Sequence, residues 1–205
     1  MSTKIKDENR LPDLMKILED LKRTELQIGV FGKDDSHLLM IANVNEYGAT
    51  IRPRNAKRLA IPLNKTARES SPRSFDDLFP LRTNNGSLFL VRNKDGSRLE
   101  FMYWLATEVH IPERAFIRGG FDTNVNKIGK RAETLLKTVI AGQNSLDVFW
   151  DAMGEYIVGL IRRYMTSLKD PSNSPITVSA KGGKSNPLIN TGRLRDAITY
   201  KVVRK

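Results

Sequence analysis

Residues 87–109 read Ser-Leu-Phe-Leu-Val-Arg-Asn-Lys-Asp-Gly-Ser-Arg-Leu-Glu-Phe-Met-Tyr-Trp-Leu-Ala-Thr-Glu-Val, and this stretch decides the fold class. Ser87 to Arg92 and Arg98 to Val109 are rich in apolar and aromatic side chains. Asn93-Lys-Asp-Gly96 between them carries Asp-Gly, a dipeptide suited to a tight turn, so a β-hairpin is expected. On its second strand Leu99, Phe101 and Tyr103 fall on one face, and Glu100, Met102 and Trp104 on the other. Apolar side chains on both faces predict a strand covered on both sides.

Upstream of the hairpin, residues 50–85 are polar and rich in Arg, Ser and Pro. Only Arg58-Leu-Ala-Ile-Pro-Leu63 has strand character there, and Pro62 makes it an edge or a terminus. Leu26, Ile28 and Val30 alternate with Glu25, Gln27 and Gly29, which predicts a strand near 26–31. Two helices flank that strand. Leu11, Leu14, Met15, Leu18 and Leu21 recur at helical spacing over 12–23, and Ser36 can cap a helix that ends near Gly48.

Downstream, a helical pattern runs from Ala115 to about Ile140. A second begins at Asn144-Ser145 and carries Leu146, Phe149, Trp150, Met153, Ile157, Leu160, Ile161 and Tyr164 as its apolar stripe. The short break between them predicts an antiparallel pair. Residues 170–187 turn to Pro, Ser, Asn, Gly and Lys and read as a mobile arm. Thr191 then caps a short turn, and Ile198, Tyr200 and Val202 form a last strand. The expectation is an α+β fold: one small, mainly antiparallel sheet packed on two long helices. A single domain over 1–205 would carry a long basic insertion, 50–85, and the arm.

The chain has 205 residues, no cysteine and two histidines, His37 and His110. It therefore has no disulfide frame, no thiolate chemistry and poor material for a zinc site. No stretch approaches the roughly 20 apolar residues of a membrane span, and Met1 to Glu8 lacks the apolar centre of a signal peptide. Synthesis in the cytoplasm is expected.

Net charge is +11. Residues 52–73 hold seven basic residues against Glu69, and 181–205 hold seven against Asp196, so each segment carries +6 and the remainder 11 − 12 = −1. Two such patches suit phosphate backbones or acidic protein surfaces, and equally suit plain solvation. Few aromatic residues are interleaved with them, which disfavours single-strand stacking.

Catalytic patterns are weak. Gly183-Lys184-Ser185 lacks the first glycine and the preceding strand of a phosphate loop. Asp34-Asp35 and Asp76-Asp77 are adjacent pairs, which do not converge on one metal from a regular element. His110 precedes Ile-Pro and reads as a packing or capping residue rather than a base. No catalytic residue, metal ligand or cofactor site is assigned.

Three segments carry a resemblance: Asn45-Glu-Tyr-Gly48, Ile111-Pro-Glu-Arg-Ala-Phe-Ile-Arg118 and Pro187-Leu-Ile-Asn-Thr-Gly-Arg-Leu-Arg-Asp-Ala-Ile198. In order, and in the spacing of the last two, they resemble the virion morphogenesis family, the neck and tail-completion proteins of long-tailed bacteriophages. Asn45, Ala115 and Asn190 depart from the family pattern, which has His, Pro and Asp there. The resemblance implies a structural protein of the virion head–tail junction, acting by assembly into a ring, with a hexamer expected. Its partners would be connector or adaptor proteins and a tail terminator or tail tube, with non-specific DNA contact in the channel and no membrane.

Tyr47, Gly48, Pro112, Arg114, Phe116, Thr191, Gly192 and Leu194 are expected to set local geometry. Glu46, Arg52, Arg54, Arg58, Arg118, Lys181, Lys184, Arg193 and Arg195 are candidates for assembly contacts. The alternative is a nucleic-acid-binding phage accessory protein using the patches 52–73 and 181–205.

Overall fold

Pro12 in the first turn, Asp13 beside it and Lys22 and Arg23 in the last turn favour α1, Leu11–Arg23. The chain then forms β1 (Thr24–Gly29), α2 (Ser36–Tyr47), β2 (Ala49–Ile51), β3 (Leu59–Pro62), α3 (Lys65–Arg68), β4 (Phe79–Arg82), β5 (Leu88–Lys94), β6 (Arg98–Ala106) and β7 (Val109–Ile111). It continues with α4 (Phe116–Asp122), α5 (Val125–Ile140), α6 (Leu146–Ser167), α7 (Pro175–Ala180), α8 (Arg193–Asp196) and β8 (Thr199–Arg204). The computed structural model describes residues 10–32, 35–94, 96 and 98–205. Met1 to Glu8, Asp34 of the first acidic pair and Asp95 of the Asp-Gly turn lie outside these.

The fold is α+β, and its strands form small antiparallel sheets. The chain divides into two compact units, one made of 1–39, 116–166 and 192–205 and the other of 40–115 and 167–191. Sequence reading expected one sheet. Among the described residues there are three: β1–β8 in the first unit, and β2–β7 and β3–β6–β5–β4 in the second. Two prolines help explain the separation. Leu63 N donates to Met102 O and Thr83 N to Ser87 O, so by strand alternation the nitrogens of Pro62 and Pro80 face the outer edges of β3 and β4. With no N–H there, both edges of the larger sheet resist a further strand.

In the first unit α6 is the core element. It buries Phe149, Met153, Ile157, Leu160, Ile161 and Met165, largely the stripe read from sequence. The expected long helix 115–140 is instead α4 and α5, broken at Asn124. The Asn124 amide donates to Gly120 O at 2.9 Å, satisfying a carbonyl of the last turn of α4. Gly119 and Gly120 let α4 press on α6, where a Cβ would stand 2.6 Å from the Tyr164 hydroxyl or 3.1 Å from Ile161 Cα. Phe116 is fully buried, as its place at the strand–helix junction predicts. Arg131 of α5 lies over the Tyr156 ring of α6, as an antiparallel hairpin of helices requires.

In the second unit the hairpin holds, with Lys94 opposite Arg98. One expectation fails inside it. The register shifts beside Leu90, so Val91 faces Phe101 while Leu90 faces Tyr103. This β-bulge moves Tyr103 off the Phe101 face. Met102 and Tyr103 both drop into a core with Ala67, Phe75, Leu78 and Leu90. The stretch 50–85 is also more ordered than expected. β3 is an edge strand as Pro62 predicts, while β4 was missed because Pro80 and its polar surroundings mask it.

Two caps move by one residue. Asp35, not Ser36, accepts the Leu38 N–H at the start of α2. Gly192, not Thr191, precedes α8, with φ of 90° and no side-chain cap.

Candidate functional site

α2 ends at Tyr47, and Gly48, with φ of 71°, turns the chain into β2. β2 pairs with β7, setting Ala49 opposite Ile111. A Cβ on Gly48 would stand 2.9 Å from Glu113 N, so this close approach admits only glycine. The pairing delivers Arg114 to the end of α2, where its backbone N–H donates to Asn45 O at 2.8 Å.

The Arg114 side chain is 7% exposed. Its Nη1 donates to Asn45 Oδ1 at 3.0 Å, Nε to Pro171 O at 3.1 Å and Nη2 to Asn173 Oδ1 at 3.2 Å. The Asn173 amide reaches the carbonyls of Asn186 and Pro187, each at 3.4 Å. Asn186 Oδ1 accepts from the N–H groups of Leu188 and Ile189 at 2.9 and 2.8 Å. Arg114 is thus the centre of a clasp that gathers 45–48, 111–114 and the start of 187–198. These are the first two resembling segments and the opening of the third. The guanidinium's planar fork of donors suits such convergent carbonyls.

Burial pushes the Arg114 pKa down. Lys181 donates to Asn186 O at 2.6 Å, and its pKa is lowered by burial, then by the charges of Arg114 and Lys184. Lys184 donates to Asn190 O at 3.1 Å. The segment 170–187, expected as a mobile arm, is therefore folded back within its unit and contains α7. Its polar composition masked this, because what binds it is a distant arginine rather than apolar packing.

The other candidates scatter. Glu46 is buried and Tyr47 exposed. Arg52 pairs with Glu108 at 2.9 Å, and Arg58 donates to Leu105 O at 3.5 Å. Arg54 and Arg118 are exposed, and Pro112 is half-buried between β7 and the clasp.

Of the basic segment 181–205, Lys181 and Lys184 belong to one unit and Arg193 onward to the other. In that other unit Arg193 pairs with Asp35 at 2.7 Å, Arg195 with Asp196 at 2.8 Å and Arg204 with Asp147 at 2.9 Å. Lys205 pairs with Glu25, and Lys201 lies over the Phe31 ring. Counting charge along the sequence hid these partners. Leu194 is buried, and Arg162 Nη2 donates to the carbonyls of Asp196 and Ile198, fixing the turn that Thr191 and Gly192 begin.

A cavity of about 280 Å³ in the first unit is lined by Lys16, Ile17, Asp20, Val139, Leu146 and Arg204, among others. Among the described residues no three His, Cys, Asp or Glu side chains gather as a metal site, and no helix is long and apolar enough to cross a membrane.

Sequence reasoning placed Arg114 at a junction but missed its partners Asn173 and Asn186. The only signal was the density of asparagine around the third segment. No family model, curated protein or solved structure matches the chain.

Proposed function

We propose that the chain is a structural protein of a long-tailed bacteriophage virion. It sits at the head–tail junction and works by ring assembly and surface complementarity rather than by a reaction of its own. The observation that carries this reading is the Arg114 clasp. Segments distant in sequence, singled out by their resemblance to neck and tail-completion proteins, meet around one buried guanidinium that shapes the fold. Its partners are connector or adaptor proteins on one side and a tail terminator or tail tube on the other, and a hexameric ring is the form to expect. The ion pairs of Arg193, Arg195, Arg204 and Lys205 favour this over nucleic-acid binding, because they engage cations that phosphates would need.

Mass spectrometry and immunogold labelling of purified particles test the proposal. A few copies per virion, located at the neck, are the expected result. A protein abundant in infected lysates but missing from mature virions overturns it and brings the nucleic-acid reading forward.

A further inference from the structure

Among the described residues no further strand covers the two outer edges of the β1–β8 ribbon, while both edges of the larger sheet carry a proline. Lys205 N donates to Arg23 O at 2.6 Å, which sets the phase of the ribbon. Its internal hydrogen bonds fall where Glu25 faces Val203 and Gln27 faces Lys201. The N–H and C=O groups of Leu26 and Ile28 on β1, and of Tyr200 and Val202 on β8, therefore point outward. Among the described residues no third strand meets them. Neither strand contains a proline or a register break, two of the devices that protect an edge.

We propose that the subunits of the ring join along these edges, with β8 of one copy adding antiparallel to β1 of a second copy. This rests on the ring-assembly reading above and specifies its contact. Three observations select the occupant. The first is charge. β1 carries Glu25 and no cation, whereas β8 carries Lys201 and Arg204 and no anion. Glu25 and Lys201 share a face, so pairing unlike strands sets them across the seam, where Lys201 joins the Glu25–Lys205 pair, while Arg204 lies on the other face and is held by Asp147; pairing β8 with β8 opposes cations instead.

The second is symmetry. β1 and β8 already run antiparallel within one copy, so rotation about an axis along the ribbon makes every new pair antiparallel as well. A head-to-tail contact of this kind generates a ring where the rotation closes, and the closed ring leaves no edge exposed. The third is that the two faces can keep their surroundings. α6 packs on the Tyr200 face, where a Cβ on Gly154 would lie 2.3 Å from the ring. Glu25, Gln27, Thr199 and Lys201 on the opposite face are exposed and polar, and remain wet after the edges pair.

The test uses the full chain. Val202→Pro deletes one outward N–H without removing a ribbon hydrogen bond, and circular dichroism checks that the variant folds. Sedimentation across a concentration series should show the parent assembling, with at least a tenfold higher concentration needed for the variant.

A second measurement is independent of proline. The chain has no cysteine, so single variants Gln27→Cys and Lys201→Cys can be mixed and treated with a short bismaleimide. Cross-links between the two different variants are expected, with few between identical ones. Rings that form equally well from Val202→Pro, or cross-links only between identical variants, overturn the edge contact while leaving the ring reading intact. A parent chain that stays monomeric both in solution and with isolated necks removes the ring reading, and this contact with it.

Discussion

Arg114 and Asn45, separated by 69 residues, are joined twice: backbone N–H to backbone carbonyl at 2.8 Å, and Nη1 to Oδ1 at 3.0 Å. The same guanidinium serves Pro171 and Asn173, so removing it takes the donor from several part-buried acceptors. Arg114→Met should destabilise the second unit by about 1–3 kcal/mol, the usual consequence of leaving neutral polar groups without their donor. Arg114→Lys keeps the charge but not the fork, and should recover less than half of that loss. Urea denaturation with amide exchange checks this, and protection should fall first in 171–187. Parent-like exchange there in Arg114→Met would refute the clasp.

Ala115 has φ of 38°, a left-handed conformation that costs a residue with a Cβ about 1–2 kcal/mol. Ala115→Gly should therefore stabilise the protein by up to about 1 kcal/mol. Ala115→Pro should lower stability by about 3 kcal/mol or more, because the ring fixes φ near −65°. Thermal melts of the two variants decide the matter, and a tolerated proline would mean that the junction can adopt the other path.

These sites show where sequence reading reaches. Periodicity exposed α1, α6 and the β5–β6 hairpin, because burial of one face leaves a regular trace in residue order. It failed at Tyr103, where a single bulge exchanges faces, and at β4, where Pro80 looks like a loop residue until the edge it guards is seen. Arg114 could be placed at a strand–helix junction, but its partners Asn173 and Asn186 lie far along the chain in a stretch that composition marks as flexible. Ion pairs such as Arg204 with Asp147 are equally invisible, since proximity in space has no counterpart in residue order.

Tyr103 is almost wholly buried, donates its hydroxyl to Ser70 O at 2.8 Å, and has its pKa raised by burial above the ordinary 10.0. Above pH 10 the unfolded chain loses this proton while the folded one keeps it. The native state then binds more protons, so stability falls as pH rises from about 10 through the raised native value. Lys181 acts in the opposite sense below its ordinary value, so the comparison must be with the parent at each pH. Tyr103→Phe should lose about 1 kcal/mol at neutral pH through the missing hydrogen bond. It should also flatten the alkaline decline. Equal slopes for variant and parent between pH 9.5 and 11 would contradict this.

Arg54, Lys57 and Arg73 have no ion pair among the described residues, whereas Arg193, Arg195 and Arg204 each face a carboxylate. Any duplex DNA binding should therefore come from the first group. Three phosphate contacts would give a slope of log affinity against log salt of about −2.7. Changing Arg54, Lys57 and Arg73 to Gln should bring that slope close to zero. The same change at Arg193, Arg195 and Arg204 should leave it within about one unit of the parent, because breaking a surface ion pair frees no phosphate contact that was being made. Fluorescence anisotropy with a short duplex from 50 to 300 mM salt reads both. A steep slope carried by the second trio would mean that phosphates displace Asp35, Asp196 and Asp147, and would favour a DNA-binding role over a neck protein.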